Sequence, residues 1–320
     1  MFDRLLKSGL LSLLLCVVYG LTMGVVAPGF ASFENLTNVL VAMLPLMVVA
    51  TGQTVVLITA GIDLSVTSII AVTSIAGAAL VTGDDGRLIG FPQSEVWATP
   101  VAIIAMLAIG ALVGLLNGGC VVWLRMPAFI VTLTVMMFVS GLAIWSTQSQ
   151  SISDLPHSLL VFGKNAWLAG GIALTVGVGV QFLLSRSRMG SGLRAIGYNS
   201  QTALAAGVDV NRLVMLAYVV SGLCAAIASL LIIGQLETGS PVQWENNLLD
   251  VIGATVIGGT SLYGGRGHVV WTFFGVLLLT LIDNSLNLLN LSYFTIMMAK
   301  GGVILLAALL DTLRTRAEAR

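Results

Sequence analysis

The sequence contains few charged residues for its length. Only 14 basic and 14 acidic side chains occur among 320 residues, or 9%, whereas a soluble domain contains roughly 25%. So few charges cannot cover a water-soluble body of this size, and the mean hydropathy of +1.02 points the same way. We therefore expect a membrane protein, whose backbone must form helices or a closed barrel because lipid offers no hydrogen-bond partners. The net charge of zero gives no indication of a nucleic-acid partner.

Cysteine, histidine and nucleotide-binding motifs are equally scarce. Cys16, Cys120 and Cys224 lie inside apolar runs and have neither disulfide nor metal-ligand spacing. His157 and His268 are far apart in the chain. No G-x-x-x-x-G-K-[ST] loop occurs, so the chain is not expected to bind ATP through that motif. These absences predict no cofactor, no metal site and no enzymatic activity of the chain itself.

Long apolar runs dominate the sequence, in place of the short alternating segments of barrel strands. Runs that approach the length of about 20 residues needed to span a membrane occur at 9–27, 39–60, 68–82, 98–123, 127–147, 166–184, 213–234, 250–258, 268–289 and 293–311. The two short runs, 68–82 and 250–258, each lie beside a glycine-containing break. We predict an all-α polytopic membrane protein with one transmembrane domain over residues 1–320 and about ten helices. Eight helices with re-entrant segments are the alternative. The first run exceeds a signal-peptide core, so we expect a retained helix.

Basic residues divide unevenly between the two sides that ten spans would create. With a cytoplasmic N terminus, the cytoplasmic side holds Arg4, Lys7, Arg125, Arg186, Arg188, Arg194, Arg212, Arg266, Arg314, Arg316 and Arg320. The outer side holds Arg87 and Lys164, and Lys300 lies within the last run. Because cytoplasmic segments are enriched in Lys and Arg, both termini are predicted to be cytoplasmic.

The longest cytoplasmic connection, residues 185–212, combines basic residues with small ones. Asn199 or Ser200 can cap a short helix there, and Gly207 can end it. A short helix of small residues on the inner face suits docking into the groove of a partner, and a plain connector is the alternative.

Four glycine-containing stretches follow one another along the chain. They are GIDLSV at 61–66, GLLNG at 114–118 followed by MPAFIVTL at 126–133, GLRAIGYN at 192–199 continuing to Gly207, and LDVIGA at 249–254 followed by IGGTSLYGGRG at 257–267. Together they resemble the ribose/arabinose/xylose-type permeases of ABC importers, over about residues 30–311. Two positions depart from that pattern: Thr67 replaces a usual glycine and Gly253 replaces a usual alanine.

The resemblance implies a sugar or sugar-like solute and a bacterial inner-membrane location. It also implies three protein partners in addition to membrane lipid. These are a separate ATP-binding subunit, a periplasmic or extracellular solute-binding protein, and a second permease copy or paralogue. The third stretch is similar to the segment that couples such permeases to their ATPase, which makes coupling candidates of Arg194, Gly197, Asn199, Ala203, Ala206 and Gly207. A branched-chain amino-acid permease is the alternative within transport. A stand-alone secondary transporter would need its own ion relay, for which Asp283 and Lys300 are the main candidates.

Several polar residues lie within or beside the apolar runs, where they are costly unless paired or solvated. The candidates for a translocation path are Asp63, Asn117, Asn284 and Asn287. Asp63 could instead hold the helix break at Leu64–Ser68, and the asparagines could bond between helices. Lys300 is predicted to pair with Asp283 or Asp250, or to reach an interface. Helix breaks are expected at Gly61, Gly258, Gly259, Gly264 and Gly265.

Overall fold

The computed structural model describes residues 10–82, 95–242 and 244–318, without the side chains of residues 95, 96 and 313–318. Arg4, Lys7, Arg87 and Arg320, used above for orientation, lie outside the described residues. The helices are α1 (Leu10–Val26), α2 (Phe33–Ile58), α3 (Val66–Val81), α4 (Glu95–Trp123), α5 (Ala128–Thr147), α6 (His157–Lys164), α7 (Ala166–Arg186), α8 (Arg188–Tyr198), α9 (Ser200–Ala205), α10 (Val210–Leu236), α11 (Leu248–Ile257), α12 (Val269–Leu288) and α13 (Tyr293–Glu318). A 3₁₀ turn, Glu245–Asn247, leads into α11.

Each of the ten apolar runs forms a helix, so the all-α prediction is confirmed. Seven of the described helices are long and apolar enough to cross a membrane: α2, α4, α5, α7, α10, α12 and α13. The shorter apolar helices are α1, with 17 residues, and α3, with 16. Helix α11 has 10 residues, or about 15 Å at 1.5 Å per residue. It therefore needs its flanking segments to complete a crossing.

Two short helices, α6 and α8, were not predicted. Helix α6 buries Leu159 and Leu160 within a segment that looks like a polar loop, and Gly163 approaches the backbone of α10. Helix α8 contains three glycines, which lower intrinsic helix propensity. In both cases tertiary packing overrides the local preference.

Contacts between loops define two opposite faces of the bundle. The glycine face consists of residues 59–65, 187–209 and 258–267, and there the Gly265 amide donates to the Ile58 carbonyl at 2.8 Å. On the opposite face, residues 148–165 meet residues 237–247. Helix α11 starts near the opposite face and is followed by a loop on the glycine face. This course fits one crossing by α11 and its flanking segments, as in the prediction of about ten helices, better than the alternative of a re-entrant segment.

Helices α2 and α10 occupy the centre, and small residues let their neighbours approach closely. A Cβ on Gly110 of α4 would collide with the Gly222 carbonyl of α10, and one on Gly222 would collide with the Gly110 carbonyl. This reciprocal contact is the small-residue packing typical of membrane helices. Helices α5, α7 and α13 instead leave most of their residues unburied, as expected of surfaces that face lipid or another chain.

Candidate functional site

The break between α2 and α3 is built around a buried carboxylate. Asp63 is fully buried, and its Oδ1 accepts from the Ser65 amide at 3.0 Å and the Ser65 hydroxyl at 2.6 Å. Its Oδ2 accepts from the Ser221 hydroxyl of α10 at 2.8 Å. The Asn117 amide of α4 donates to the Ser65 hydroxyl oxygen at 2.7 Å. We call Asp63, Ser65, Asn117 and Ser221 the Asp63 cluster.

The backbone of this break is also held from two sides. The Tyr218 hydroxyl donates to the Ile62 carbonyl at 3.4 Å, and the Thr132 hydroxyl donates to the same oxygen at 3.3 Å. A Cβ on Gly61 would lie 2.8 Å from the Tyr218 hydroxyl oxygen. Asp63 was predicted to hold the helix break at Leu64–Ser68. Its carboxylate accepts a hydrogen bond from one backbone amide of that segment, that of Ser65, as in a turn closed by an Asx side chain. A contact of Asp63 or Asn117 with solute stays a prediction.

Three chain segments meet on the glycine face through glycine backbones. A Cβ on Gly197, at the end of α8, would overlap both the Ile58 carbonyl and the Gly265 amide, which are hydrogen-bonded to each other. Gly264 and Gly265 have φ of +86° and +77°, which glycine adopts readily. A Cβ on Gly264 would lie 2.8 Å from the Ala60 Cβ. We call this contact of α2, α8 and the 258–267 loop the glycine junction.

The coupling candidates lie on α8, α9 and the turn after them. Asn199 caps α9, with its Oδ1 accepting from the Thr202 amide at 3.0 Å, and Gly207 follows with φ of +81°. The Arg194 guanidinium donates to the Leu184 carbonyl at 2.9 Å. Ala203 is buried, whereas Ala206 is exposed. The predicted helix is therefore present, and its outer side is unpartnered among the described residues.

The exposed surface of this pair of helices is partly apolar. Leu204 on α9 is 59% exposed and Tyr198 at the end of α8 is 68% exposed. Tyr198 borders the glycine junction, since a Cβ on Gly265 would lie 2.9 Å from its ring, and Leu204 lies six residues further along the chain on α9.

The polar residues of α12 lie near the opposite face and have separate partners. Asn284 and Asn35 of α2 bond reciprocally through their amides, at 2.9 Å in each direction. Asn287 donates to the Asp283 carbonyl at 2.8 Å. These contacts are the interhelical and local bonds considered above, and a role in a translocation path stays a prediction.

Lys300 of α13 forms an ion triad with two carboxylates. Its Nζ lies 2.7 Å from Asp250 Oδ2 of α11 and 3.2 Å from Asp283 Oδ1 of α12. The predicted pairing is confirmed, and it involves both carboxylates rather than one. The triad therefore ties the last three helices together.

At the break after α11, the backbone of Gly258 packs directly against the backbone of α12. A Cβ on Gly258 would lie 2.6 Å from the Thr272 Cα of α12, and Gly259 has φ of +82°. The two glycines therefore allow α11 to end against α12.

Sequence reasoning missed several members of these sites. Ser221, Tyr218 and Asn35 lie in or beside runs that were read as apolar. Gln53 is the least expected of the missed residues, because it is fully buried in α2 and neither side-chain polar atom has a partner among the described residues. A glutamine inside the apolar run 39–60 was the available signal.

The chain matches the model of the family described as branched-chain amino acid transport system / permease component over residues 35–309. It belongs to this permease family. It is 34% identical to the Ribose import permease protein RbsC of Escherichia coli strain K12, over 95% of this chain and 93% of the relative. The L-arabinose transport system permease protein AraH of the same strain is 32% identical, over 91% and 86%. RbsC of Bacillus subtilis is 34% identical, over 89% and 86%. No solved structure matches the chain.

Membership in the permease family agrees with the multi-pass helical fold. Within the described ranges, no group of three or more His, Cys, Asp or Glu side chains could hold a metal ion. The glycine junction, the Asp63 cluster and the ion triad are therefore the structural features on which a function of this permease can be argued.

Proposed function

We propose that this chain is the membrane-spanning subunit of an ATP-driven, binding-protein-dependent importer for a sugar or sugar-like solute. Relatives over most of its length are named for import of ribose and for transport of arabinose. A relative of Haemophilus influenzae named for galactose and methyl galactoside import is 29% identical over 98% of the chain. ATP hydrolysis is assigned to a separate subunit.

The observation that carries this proposal is the glycine junction. It places α8, the 258–267 loop and the end of α2 in backbone contact. A displacement of α8 toward the other two segments cannot be absorbed there, because close-packed interiors transmit strain. A force applied to α8 and α9 therefore reaches the breaks before α3 and before α12 together.

The glycine face is proposed to be cytoplasmic. The basic residues with described side chains on this face or at the helix ends next to it are Arg125, Arg186, Arg188, Arg194, Arg212 and Arg266, whereas the opposite face has Lys164. This distribution follows the positive-inside rule. A cytoplasmic ATPase would then contact α9, including Leu204, and a solute-binding protein would dock on the opposite face.

Alternating access follows from these assignments. ATP binding in the partner would move α8 and α9, and the rigid-body shift would open one face while the other closes. The break between α2 and α3 at the Asp63 cluster is proposed to act as the pivot, and Asn117 there is proposed to border the path. A second permease copy or paralogue would complete the path along an exposed helix face such as that of α5.

The proposal is tested by co-purification and transport. The full chain, tagged at its C terminus, is extracted gently from its native membrane, and bound proteins are identified by mass spectrometry. We expect an ATP-binding protein to be recovered and to be lost with Leu204→Glu. The matched control is Leu236→Glu, which places the same charge at an exposed leucine on the opposite face.

Two results would overturn the proposal. If the chain were recovered without an ATPase and moved solute into liposomes without ATP, it would be a secondary transporter, and the ion triad would be the first relay to mutate. If the co-purified binding protein bound leucine or valine but no sugar, the branched-chain amino-acid alternative would be correct.

A further inference from the structure

An open groove lies between α2, α7 and α12 on the outside of the bundle. Its volume is about 740 Å³, within the range of about 300–1,000 Å³ found for small-molecule sites. Met47 of α2, Leu174 and Val178 of α7 and Phe273 of α12 line its apolar part. Glycines of α7 leave room for it: a Cβ on Gly170 would meet no atom within 4 Å. The groove runs along the membrane-spanning part of the three helices.

One end of the groove is polar and basic. Gln181, Ser185 and Arg186, at the C-terminal end of α7, line it on the glycine face. No ion pair joins Arg186 to a carboxylate among the described residues. None of the residues that line the groove is acidic. Arg186 therefore presents an uncompensated positive charge at the mouth of an apolar groove.

A second basic residue adds to the positive charge at this end. The Arg194 guanidinium bonds to the Leu184 carbonyl, which lies two residues before Arg186. The Nη2 atom of Arg194 is buried and has no hydrogen-bond partner among the described residues. The charge of Arg194 is therefore held beside the last turn of α7, next to the end of the groove that Arg186 lines.

We propose that this groove binds a phospholipid with an anionic headgroup, its acyl chain along the apolar part and its phosphate at Arg186. Charge complementarity selects this occupant, because basic pockets between membrane helices on the cytoplasmic side bind anionic headgroups. The guanidinium geometry suits a phosphate, to which it donates two parallel hydrogen bonds. A sugar would leave the long apolar part unfilled, and a helix of a second copy would not need the charge at the end.

The test uses the full chain in lipid nanodiscs that contain equal amounts of phosphatidylglycerol and phosphatidylethanolamine. The lipid retained after mild detergent extraction is counted by native mass spectrometry. We expect phosphatidylglycerol to be retained in excess. Arg186→Gln should lower that excess about fivefold, the effect expected for one basic residue near the membrane surface. Arg212→Gln, the same change elsewhere on the glycine face, is the control.

A second variant tests the groove independently of the charge. Gly177→Leu is expected to fill the groove and remove retention of either lipid, because a Cβ there makes contacts of 3.6 and 3.8 Å with Met47 and Val269. Leucine is a better helix former than glycine, but Gly177 is buried, so the variant is first shown to be monodisperse by gel filtration before its lipid is counted. Gly179→Leu is the control, since its Cβ meets no atom within 4 Å and Gly179 does not line the groove.

Three outcomes would overturn the proposal. Equal retention of the two lipids by the unmodified chain would show that no anionic headgroup is selected. Unchanged retention in Gly177→Leu would place the lipid elsewhere. A shift from dimer to monomer in Gly177→Leu, with lipid retention intact, would assign the groove to a second copy of the chain.

Discussion

Replacement of Gly197 by alanine tests the glycine junction most directly. The added Cβ would overlap the Ile58 carbonyl and the Gly265 amide, well inside the 3.0 Å limit that real Cβ atoms respect. Because these neighbouring atoms belong to the backbone, no side-chain rotation can relieve the overlap. The Cβ therefore pushes α8 away by about 1 Å, which is overpacking of a tight interface, and it also separates the Ile58 carbonyl from the Gly265 amide, so their hydrogen bond breaks.

The expected cost follows from these two terms. Overpacking costs about 1–3 kcal/mol, and loss of a backbone hydrogen bond adds about 0.5–1.5 kcal/mol. Alanine in a helix gains about 1 kcal/mol over glycine, but Gly192→Ala on the same helix gains the same amount. Gly192→Ala should lower the stability little, because its Cβ meets only the flexible end of the Leu213 side chain, which can rotate away. The difference between the two variants should therefore be about 1.5–4.5 kcal/mol.

Two assays read this difference. The fraction of purified protein that stays monodisperse after heating should fall for Gly197→Ala and stay unchanged or rise for Gly192→Ala. ATP-driven uptake in proteoliposomes with the partner subunits should fall for Gly197→Ala even at temperatures where the protein stays folded. If both variants behaved alike in both assays, the junction would not transmit force and the reasoning would be refuted.

Three further substitutions test the remaining contacts by the same heating assay. Ser221→Ala removes a hydrogen bond to the Asp63 carboxylate and should lower the free energy of unfolding by about 1.5–3 kcal/mol. The control Ser229→Ala removes a hydrogen bond to the Ile70 carbonyl and should lower it by about 0.5–1.5 kcal/mol. Equal losses of stability would contradict a charged Asp63 cluster. Lys300→Met should cost about 3–5 kcal/mol because it leaves buried charge unpaired, whereas Lys300→Arg should retain most stability. Gly253→Ala should cost about 1–3 kcal/mol through contact with Ile304, and the cost should vanish in an Ile304→Ala background if that contact is its cause.

The membrane helices could be predicted from sequence because one physical signal decides them. A segment in lipid must satisfy its own backbone groups, so every long apolar run forms a helix. The ends agree closely for the run 127–147, which is α5, Ala128–Thr147, and for the run 268–289, which is α12, Val269–Leu288, whereas the run 39–60 begins six residues after α2 does, at Phe33. Helices α6 and α8 were not predicted, because each contains too few apolar residues to form a recognisable apolar run. Their helical structure depends on the residues they pack against.

The candidate sites could be predicted only where the chemistry forces a partner. Lys300 inside an apolar run needs a carboxylate, and only a few are available nearby in the membrane, so its pairing was foreseeable. The Ser221 hydroxyl of the Asp63 cluster was not, because serine is common in membrane helices and usually bonds to its own helix. The glycine junction was also hidden, since sequence shows which glycines exist but not which backbone each one approaches.

The ion triad has a consequence for the assembly of the chain. Asp250 and Asp283 belong to helices that are synthesised before α13, so neither has its counter-charge when it first reaches the membrane. A lone carboxylate costs at most about 2.5–3.5 kcal/mol to insert, the value for the centre of a helix, and Asp250 and Asp283 lie nearer the ends of their helices. The last three helices must therefore stay near one another, or near the insertion machinery, until Lys300 emerges. A chain that ends before residue 300 is expected to lose the stable placement of α11 and α12 along with α13.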